Sequence, residues 1–90
     1  MVEKRVEIAN PIGLHARPAA IFVQTAGKFA SSIWLIKGDK KVNAKSIMGL
    51  ISLAISNGTE VIIGAEGEDE EIAVRELVEL IESGFGDFVE

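Results

Sequence analysis

The single histidine of the chain, His15, stands in the segment NPIGLHARPAA at residues 10–20. Its imidazole has an ordinary pKa near neutrality, and histidine is a well-established covalent nucleophile. Pro18 is tolerated in the first turn of a helix but not in its interior, so it predicts a helix that begins near Ala16. His15 then lies at or near the N-cap, where unpaired backbone amides bind anions and favour the neutral imidazole.

Arg17 lies two residues after His15. Its guanidinium is always charged, and its planar set of donors suits phosphate oxygens. Alone, His15 would be interpreted as a surface or capping residue and Arg17 as a solvated charge. Together with the helix start, they predict a site that holds a phosphoryl group covalently. The neighbouring sequence offers no acid or base for hydrolysis, so a carrier fits this pattern better than a phosphatase.

A second segment whose residues could take part in a reaction is NAKSIMGLISLAI at residues 43–55. Ser46 stands in N-cap position before Ile47, and as a plain cap it would stabilise the helix by about 1 kcal/mol. A phosphate added to the same hydroxyl would also meet the helix dipole favourably. Regulation by added charge, with little refolding, is therefore a second interpretation of Ser46.

The helix predicted after Ser46 carries more apolar residues than a helix lying on a sheet can bury. On a helical wheel they form two neighbouring arcs, one of Leu50, Leu53 and Ala54 and the other of Ile47, Met48 and Ile51. The two arcs together cover roughly 220°. One arc is expected to face the core and the other to form an exposed patch for a partner, unless a neighbouring helix buries both. Met48 suits a surface that accepts several partners, but the wheel does not decide which arc lies outside.

Composition limits the classes of function. The 90 residues are 48% apolar and 26% charged, which predicts one globular domain over residues 1–90. The net charge of −5 argues against nucleic acid or an anionic membrane as the main partner. The absence of cysteine excludes disulfides, a thiol nucleophile and cysteine-ligated metal sites. No apolar run has the length of a signal peptide or a membrane span, so a soluble cytoplasmic protein is expected.

The spacing of apolar residues predicts the element order β-α-β-β-α-β-α. The first strand is marked by Val6 and Ile8, which alternate with polar neighbours, and the turn residues Asn10 to Gly13 follow it. The other strands are predicted over residues 32–37, 40–44 and 59–65, the last with a possible extension to residue 66. Gly38 and Asp39 predict a hairpin between the first two of these.

Three predicted helices complete the pattern. The first has its apolar stripe at Ala19, Phe22, Val23 and Ala26 and ends near Gly27. The second follows Ser46 and is stopped by Asn57 and Gly58. The third opens with the acidic run at residues 68–71, has its stripe at Ala73, Leu77, Leu80 and Ile81, and is closed by Gly84 and Gly86. Four short strands and three helices bury one apolar face per element only when the helices stack on one side of a sheet. The expected fold is therefore an α+β open-faced sandwich.

The segments GLHARPA at residues 13–19 and KSIMG at residues 45–49 resemble the HPr family. Its members are the histidine-containing phosphocarriers of the phosphoenolpyruvate-dependent sugar phosphotransferase system. The resemblance covers essentially the whole chain in length and element order, and two motifs at the right separation make it highly specific. It implies a four-stranded antiparallel sheet of order 1-4-2-3 with three helices on one face.

The resemblance also implies a role for each site residue. His15 would accept a phosphoryl group on Nδ1 from phospho-enzyme I and pass it to enzyme IIA domains. Arg17 would neutralise the phosphate, the amides of Ala16 and Arg17 would bind it, and Pro18 would set the helix start. The partner surface beside the site would consist of Ala20, Gln24, Gly27, Ile47, Met48 and Ile51.

Ser46 resembles the serine that HPr kinase/phosphorylase phosphorylates with ATP. In the family, the serine-phosphorylated form is a poorer substrate for enzyme I and binds catabolite control protein A as a corepressor. A monomer is expected for a shuttle that meets many partners, and neither a cofactor nor a metal is expected. The chain departs from the common pattern at Ile12, where many relatives have a small polar residue, and no role is assigned to the tail SGFGDFVE.

Three alternatives remain open. One is a binding-only regulatory module in which Ser46 acts and His15 is vestigial, which predicts serine phosphorylation without transfer from enzyme I. A paralogue of the family keeps the serine motif but lacks the histidine, and the presence of His15 argues against that purely regulatory protein. Another is a nitrogen-regulatory relative served by a different enzyme I, against which the KSIMG motif speaks. The third is a metal-dependent hydrolase. With one histidine and no cysteine, its ligands would be carboxylates, and no clustered pair is evident in the sequence.

Overall fold

The computed structural model of the chain describes residues 1–8, 16–56 and 58–83. Seven elements follow one another in the predicted order. They are β1 (Val2–Glu7), α1 (Ala16–Ala26), β2 (Ser32–Lys37), β3 (Lys40–Asn43), α2 (Ile47–Ser52), β4 (Glu60–Glu66) and α3 (Glu70–Glu82). The predicted turn at residues 10–13, and with it Asn57, Gly84 and Gly86, lies outside the described residues.

The four strands form one antiparallel sheet of order β1-β4-β2-β3, as predicted. Alternation along β2 turns Ile33 and Leu35 toward the helices, where both are buried. Helix α3 packs against β1 and β4, and α1 packs against α2 and α3. The expected open-faced sandwich is thereby confirmed. At the hairpin, Lys37 pairs with Lys40 across a two-residue turn, and Gly38 supplies the positive φ of 62° that such turns favour.

The helices are fixed to the sheet by their buried stripes. In α1 the side chain of Phe22 is fully buried, which stabilises the fold by about 1.5–3 kcal/mol relative to an exposed position. The predicted neighbours Ala19 and Ala26 are also fully buried, while Val23 is half-buried at the edge of the stripe. In α3 the buried residues are Ala73, Val74, Leu77, Val78 and Ile81. The predicted Leu80 is only half-buried, because the stripe runs on the side of Val74 and Val78 instead.

Helix α2 is shorter than predicted, and this changes one of its arcs. The helix ends at Ser52, Leu53 is its C-cap, and Ala54 has a left-handed φ of 52°. Leu53 and Ile55 are both buried at 3% exposure. In a continuous helix these two side chains would lie on opposite faces, since two residues turn the helix by about 200°. The chain must leave the helix to bury both, and Ala54, which the helical wheel places on one arc with Leu50 and Leu53, is exposed.

The sheet face away from the helices carries Trp34, Ile36 and Ile62, all half-buried. Trp34 pairs with Gly64 across β2 and β4, and a Cβ atom at Gly64 would overlap the indole. The Lys41 ammonium lies 4.5 Å from the centroid of the indole ring, in range for a cation–π contact. Among the described residues, no group accepts a hydrogen bond from the buried Nε1 of Trp34. The indole is therefore held by packing on Gly64 and by Lys41.

Asp69 links the loop before α3 to the turn before β2. Although it is the N-cap residue, its side chain makes no capping bond. It accepts hydrogen bonds from the Ala30 amide at 2.9 Å, from the Ser31 amide at 3.0 Å and from the Ser31 hydroxyl. These bonds hold the pKa of the Asp69 carboxyl below its usual value, with the Ser31 hydroxyl as the main cause and the Ala30 amide next.

This pKa shift predicts a specific acid sensitivity. A carboxyl whose pKa is lowered by folding stabilises the fold above its unfolded pKa, and the stabilisation is lost as pH falls through the folded pKa. We expect Asp69→Asn to lower the melting temperature at neutral pH and to flatten the loss of stability below about pH 4. Thermal unfolding from pH 2 to pH 7 measures both effects. The control Asp39→Asn, in the exposed hairpin turn, should keep the wild-type pH profile; an Asp69→Asn profile parallel to wild type would contradict the assignment.

Candidate functional site

Helix α1 begins at Ala16, the residue that directly follows His15 in the sequence. Pro18 is the third residue of the helix and is fully buried. Its missing amide costs no hydrogen bond there, because the first turn of a helix has no acceptors for its amides within the helix. The predicted helix start is confirmed. His15, Ile12 and the side chains of Ala16 and Arg17 lie outside the described residues, so their predicted roles stay predictions.

The start of α1 is electrostatically suited to an anion. Its first turn contains no acidic residue, and Arg17 stands in that turn. The amides of the first turn carry the positive end of the helix dipole. Buried Phe22 and Ala19 fix this end of the helix against the core. The backbone that follows His15 therefore provides a set of amide donors on which a phosphate could be held.

Ser46 is the N-cap of α2, as its position before Ile47 predicts. Its backbone is extended, and its Oγ accepts a hydrogen bond from the Gly49 amide at 3.1 Å. A Cβ atom at Gly49 would lie 3.3 Å from Cβ of Val42, so a small residue lets α2 approach β3 closely. The hydroxyl of Ser46 is thus placed at the first turn of α2, and its regulatory role stays a prediction.

The outer arc of α2 is the one formed by Ile47, Met48 and Ile51. Met48 is 72% exposed and Ile51 39% exposed, whereas Leu50 is fully buried. Ile47 is half-buried against the core. Of the four large apolar side chains exposed in the described part of the chain, two belong to this arc; the others are Met1 and Ile72.

Of the remaining predicted partner residues, Ala20 and Gln24 lie on α1, which packs against α2, and Gly27 directly follows α1. Gln24 and Gly27 are exposed, and Ala20 is half-buried. We call the full predicted set the docking patch; it consists of Ala20, Gln24, Gly27, Ile47, Met48 and Ile51. The structure places these residues on two neighbouring helices, apart from Gly27 directly after α1, and it exposes Met48 and Ile51 of α2. Partner binding by the docking patch stays a prediction.

Two lysine contacts near the ends of α2 were not predicted from the sequence. The Lys37 ammonium donates hydrogen bonds to the carbonyl oxygens of Leu53 at 2.8 Å and Ala54 at 3.3 Å. The Lys45 ammonium donates to the carbonyl oxygen of Phe29 at 2.8 Å. The sequence does contain a signal for the Lys37 contact. Lys37 follows Ile33 and Leu35 in the alternation of β2, so it is a charged residue at an inward-facing position.

Within residues 1–8, 16–56 and 58–83, no three histidine or acidic side chains are grouped so that they could hold a metal ion. In the same ranges no helix combines the length and apolar character that crossing a membrane requires.

A family model described as "PTS HPr component phosphorylation site" matches residues 2–83. The chain belongs to the HPr family. It is 55% identical over 82 residues to HPr-like protein Crh of Bacillus subtilis, covering 91% of this chain and 96% of Crh. It is 46% identical over 87 residues to phosphocarrier protein HPr of Neisseria meningitidis serogroup A, covering 97% of this chain and 98% of that protein.

The solved structure of HPr-C-His from Thermoanaerobacter tengcongensis is also similar. It has a TM-score of 0.94 and 61% sequence identity, covering 99% of this chain and 100% of that one. A second structure from that organism is described as an HPr dimer, with a TM-score of 0.76 and 63% identity, covering 96% of this chain and 99% of that one. The expected fold and family are confirmed by these HPr relatives.

Family membership establishes the general biochemical class. HPr proteins are phosphocarrier components of the phosphotransferase system and not enzymes. The similarity to Crh adds a relation to catabolite repression.

Proposed function

We propose that this chain is a phosphocarrier that accepts a phosphoryl group on His15 from phospho-enzyme I and passes it to enzyme IIA domains. The observation that carries the proposal is the start of α1 at Ala16, directly after His15 in the sequence. Family membership supports it, and so does the exposed apolar arc on the neighbouring helix α2. Under this proposal the protein is itself transiently phosphorylated and does not turn over a substrate of its own.

The proposed transfer needs few groups. The lone pair of neutral His15 Nδ1 attacks phosphorus, a new N–P bond forms, and the N–P bond to the histidine of enzyme I breaks. The amides of Ala16 and Arg17 and the Arg17 guanidinium bind the phosphate oxygens and stabilise their charge. Pro18 sets the helix start that places these donors. In the second transfer His15 is the leaving group: a nucleophile of enzyme IIA attacks phosphorus, a bond from that nucleophile to phosphorus forms, and the N–P bond to His15 breaks.

The docking patch provides the partner surface in this proposal. Its apolar side chains Met48 and Ile51 are exposed, and burying them against enzyme I or enzyme IIA would favour association. Two partners that must reach His15 in turn can use the same surface, since neither needs to stay bound after transfer. Met48 adapts to surfaces of different shape because its side chain is unbranched and flexible.

Regulation in this proposal acts at Ser46. HPr kinase/phosphorylase would place a phosphate on Ser46, next to Met48 of the docking patch. The added charge slows docking with enzyme I and creates the surface that catabolite control protein A binds. The Ser46 hydroxyl already accepts a hydrogen bond from the Gly49 amide. A phosphate on the same oxygen would therefore lie at the positive end of the α2 dipole without refolding the helix.

Two substitutions at Ser46 separate charge from capping. Ser46→Asp is expected to keep the N-cap, since aspartate caps as well as serine. It is also expected to slow transfer from enzyme I at least about fivefold, because it places a charge beside the apolar side chains of the docking patch. Ser46→Ala is expected to lose about 1 kcal/mol of stability and to keep the wild-type transfer rate. Urea unfolding and transfer kinetics measure the two effects. Equal transfer rates in Ser46→Asp and wild type would contradict coupling through charge.

A second candidate is a binding module that acts as a corepressor through Ser46 and carries no phosphoryl group. The 55% identity to Crh favours it, because a solved structure of Crh is described as the Bacillus subtilis catabolite repression HPr. The presence of His15 in the GLHARPA motif favours the carrier. The two candidates differ in whether His15 accepts a phosphoryl group, so the carrier assay decides between them.

Transfer of label from radiolabelled phosphoenolpyruvate, with enzyme I and magnesium, tests the proposed function. A label that is acid-labile and alkali-stable indicates phosphohistidine. No label with an enzyme I that phosphorylates another HPr would overturn the carrier proposal and leave the Ser46-regulated module, which ATP and the kinase then test. We further propose a cytoplasmic monomer; sedimentation velocity of the chain separates it from a dimer like that described for the Thermoanaerobacter relative.

A further inference from the structure

Helix α2 is too short to be stable by itself. It contains six residues, and isolated helices below about 12 residues are marginal even in favourable sequences. Its first turn is capped by Ser46, but its last turn contains no basic residue. The carbonyl oxygens at a helix end have no partners within the helix and carry the negative end of the dipole. The amides of Leu53 and Ala54 satisfy the carbonyls of Leu50 and Ile51, so the next carbonyls along the chain, those of Leu53 and Ala54, are the ones that a group outside α2 can bind.

Lys37 supplies that contact from the sheet. It is the last residue of β2, and its half-buried side chain lies at an inward-facing position of the strand. Its ammonium donates to both the Leu53 carbonyl, at the C-cap, and the Ala54 carbonyl. Hydrogen bonds from a charged donor are stronger than those between neutral groups, and the positive charge also favours the negative end of the helix dipole.

The held segment has a strained backbone. Ala54 adopts a left-handed φ of 52°, which costs a non-glycine residue roughly 1–2 kcal/mol. Leu53 and Ala54 close the turn with amide bonds to Leu50 at 3.2 Å and Ile51 at 3.1 Å. Ile51 belongs to the docking patch, one turn after Met48. The contact with Lys37 thus lies at the point where the strained turn meets the partner surface.

We propose that Lys37 is a positioning residue for partner docking: its ammonium fixes the C-terminal end of α2 and thereby holds Met48 and Ile51 in the orientation that a partner requires. The inference rests on the proposed function, because the consequence of the contact is measured through docking with enzyme I. Lys37 touches no reacting atom in this proposal. It acts on the binding step and leaves the chemistry of His15 unchanged.

The test compares Lys37→Met with a matched control. Methionine keeps an unbranched apolar side chain but removes the ammonium. Lys40→Met makes the same charge change at the residue that pairs with Lys37 across the hairpin, on an exposed side chain. Lys37→Arg restores a cation that can donate to both carbonyls. Circular dichroism first establishes that each variant unfolds cooperatively.

Two measurements are made on all four proteins. Amide hydrogen exchange reports how firmly the end of α2 is held, read at Leu53 and Ala54. Steady-state transfer from enzyme I gives KM and kcat for the chain as substrate. In Lys37→Met we expect exchange of the two amides to rise about tenfold and KM to rise about threefold to tenfold, as suits a partly exposed charged hydrogen bond. The value of kcat should not change, Lys37→Arg should recover most of both effects, and Lys40→Met should resemble wild type.

Each other outcome overturns a distinct part of the proposal. Unchanged exchange in Lys37→Met would mean that the ammonium does not hold α2. Faster exchange with an unchanged KM would make Lys37 a structural residue only. An equal rise of KM in Lys40→Met would point to general charge attraction between the proteins. A wild-type chain that accepts no phosphoryl group would overturn the proposed function and with it the docking role, while the exchange data would still decide whether Lys37 holds the helix.

Discussion

Replacing His15 with alanine is expected to abolish phosphoryl acceptance from enzyme I and to leave the fold intact. The substitution removes the proposed nucleophile, and a loss of at least about a thousandfold is typical when an enzyme loses its nucleophile. Stability should change little, since His15 precedes α1 and the core rests on residues such as Phe22, Leu35 and Leu77. Loss of the label in the phosphoenolpyruvate assay measures the first effect.

The fluorescence of Trp34 reports whether the His15→Ala variant is folded. Trp34 is the only tryptophan, and it lies on the sheet face away from the helices. Its fluorescence should give the same cooperative thermal unfolding transition in variant and wild type. A variant that still carries an acid-labile label at the wild-type rate would show that the phosphoryl group is held elsewhere. A variant that no longer unfolds cooperatively would assign His15 a structural role instead.

Much of the fold follows from local patterns that have one physical solution. The alternation of apolar residues in β2 predicts its bounds because one register alone buries Ile33 and Leu35. Pro18 predicts the start of α1 because proline fits no interior helical position. The hairpin follows from Gly38, which adopts the positive φ that the turn needs. In each case a local pattern or a single residue type excludes the competing conformations.

The parts that could not be predicted depend on contacts between distant segments. The sequence extends the apolar run of α2 to Ile55, but the helix ends at Ser52 because Leu53 and Ile55 must both reach the core. The helical wheel cannot decide which arc of α2 faces the sheet, since both arcs are apolar. The contact of Lys37 with the end of α2 joins residues 16 and 17 positions apart in the chain. Such a contact leaves only a weak local signal, a lysine at an inward position.

Replacing Met48 with aspartate is expected to weaken docking with enzyme I without changing the reactivity of His15. Met48 is 72% exposed and lies on the outer arc of α2, so a charge there disturbs the docking patch and not the core. Met48 is the second residue of α2, where a negative charge interacts favourably with the positive end of the helix dipole, so the substitution should not destabilise the helix. Charging the centre of an apolar interface should raise KM for transfer from enzyme I at least about tenfold, as loss of a binding hot spot does.

A small phosphoryl donor such as phosphoramidate separates docking from chemistry, because it needs no protein surface. Its rate of reaction with Met48→Asp should equal that of wild type. Ile72→Asp is the matched control: Ile72 is 45% exposed, lies in the first turn of α3 and gives the same change of net charge outside the docking patch. An equal rise of KM in both variants would assign the effect to net charge. An equal loss with phosphoramidate and with enzyme I would make the patch a structural support of the His15 site, because only a distorted site slows both donors alike.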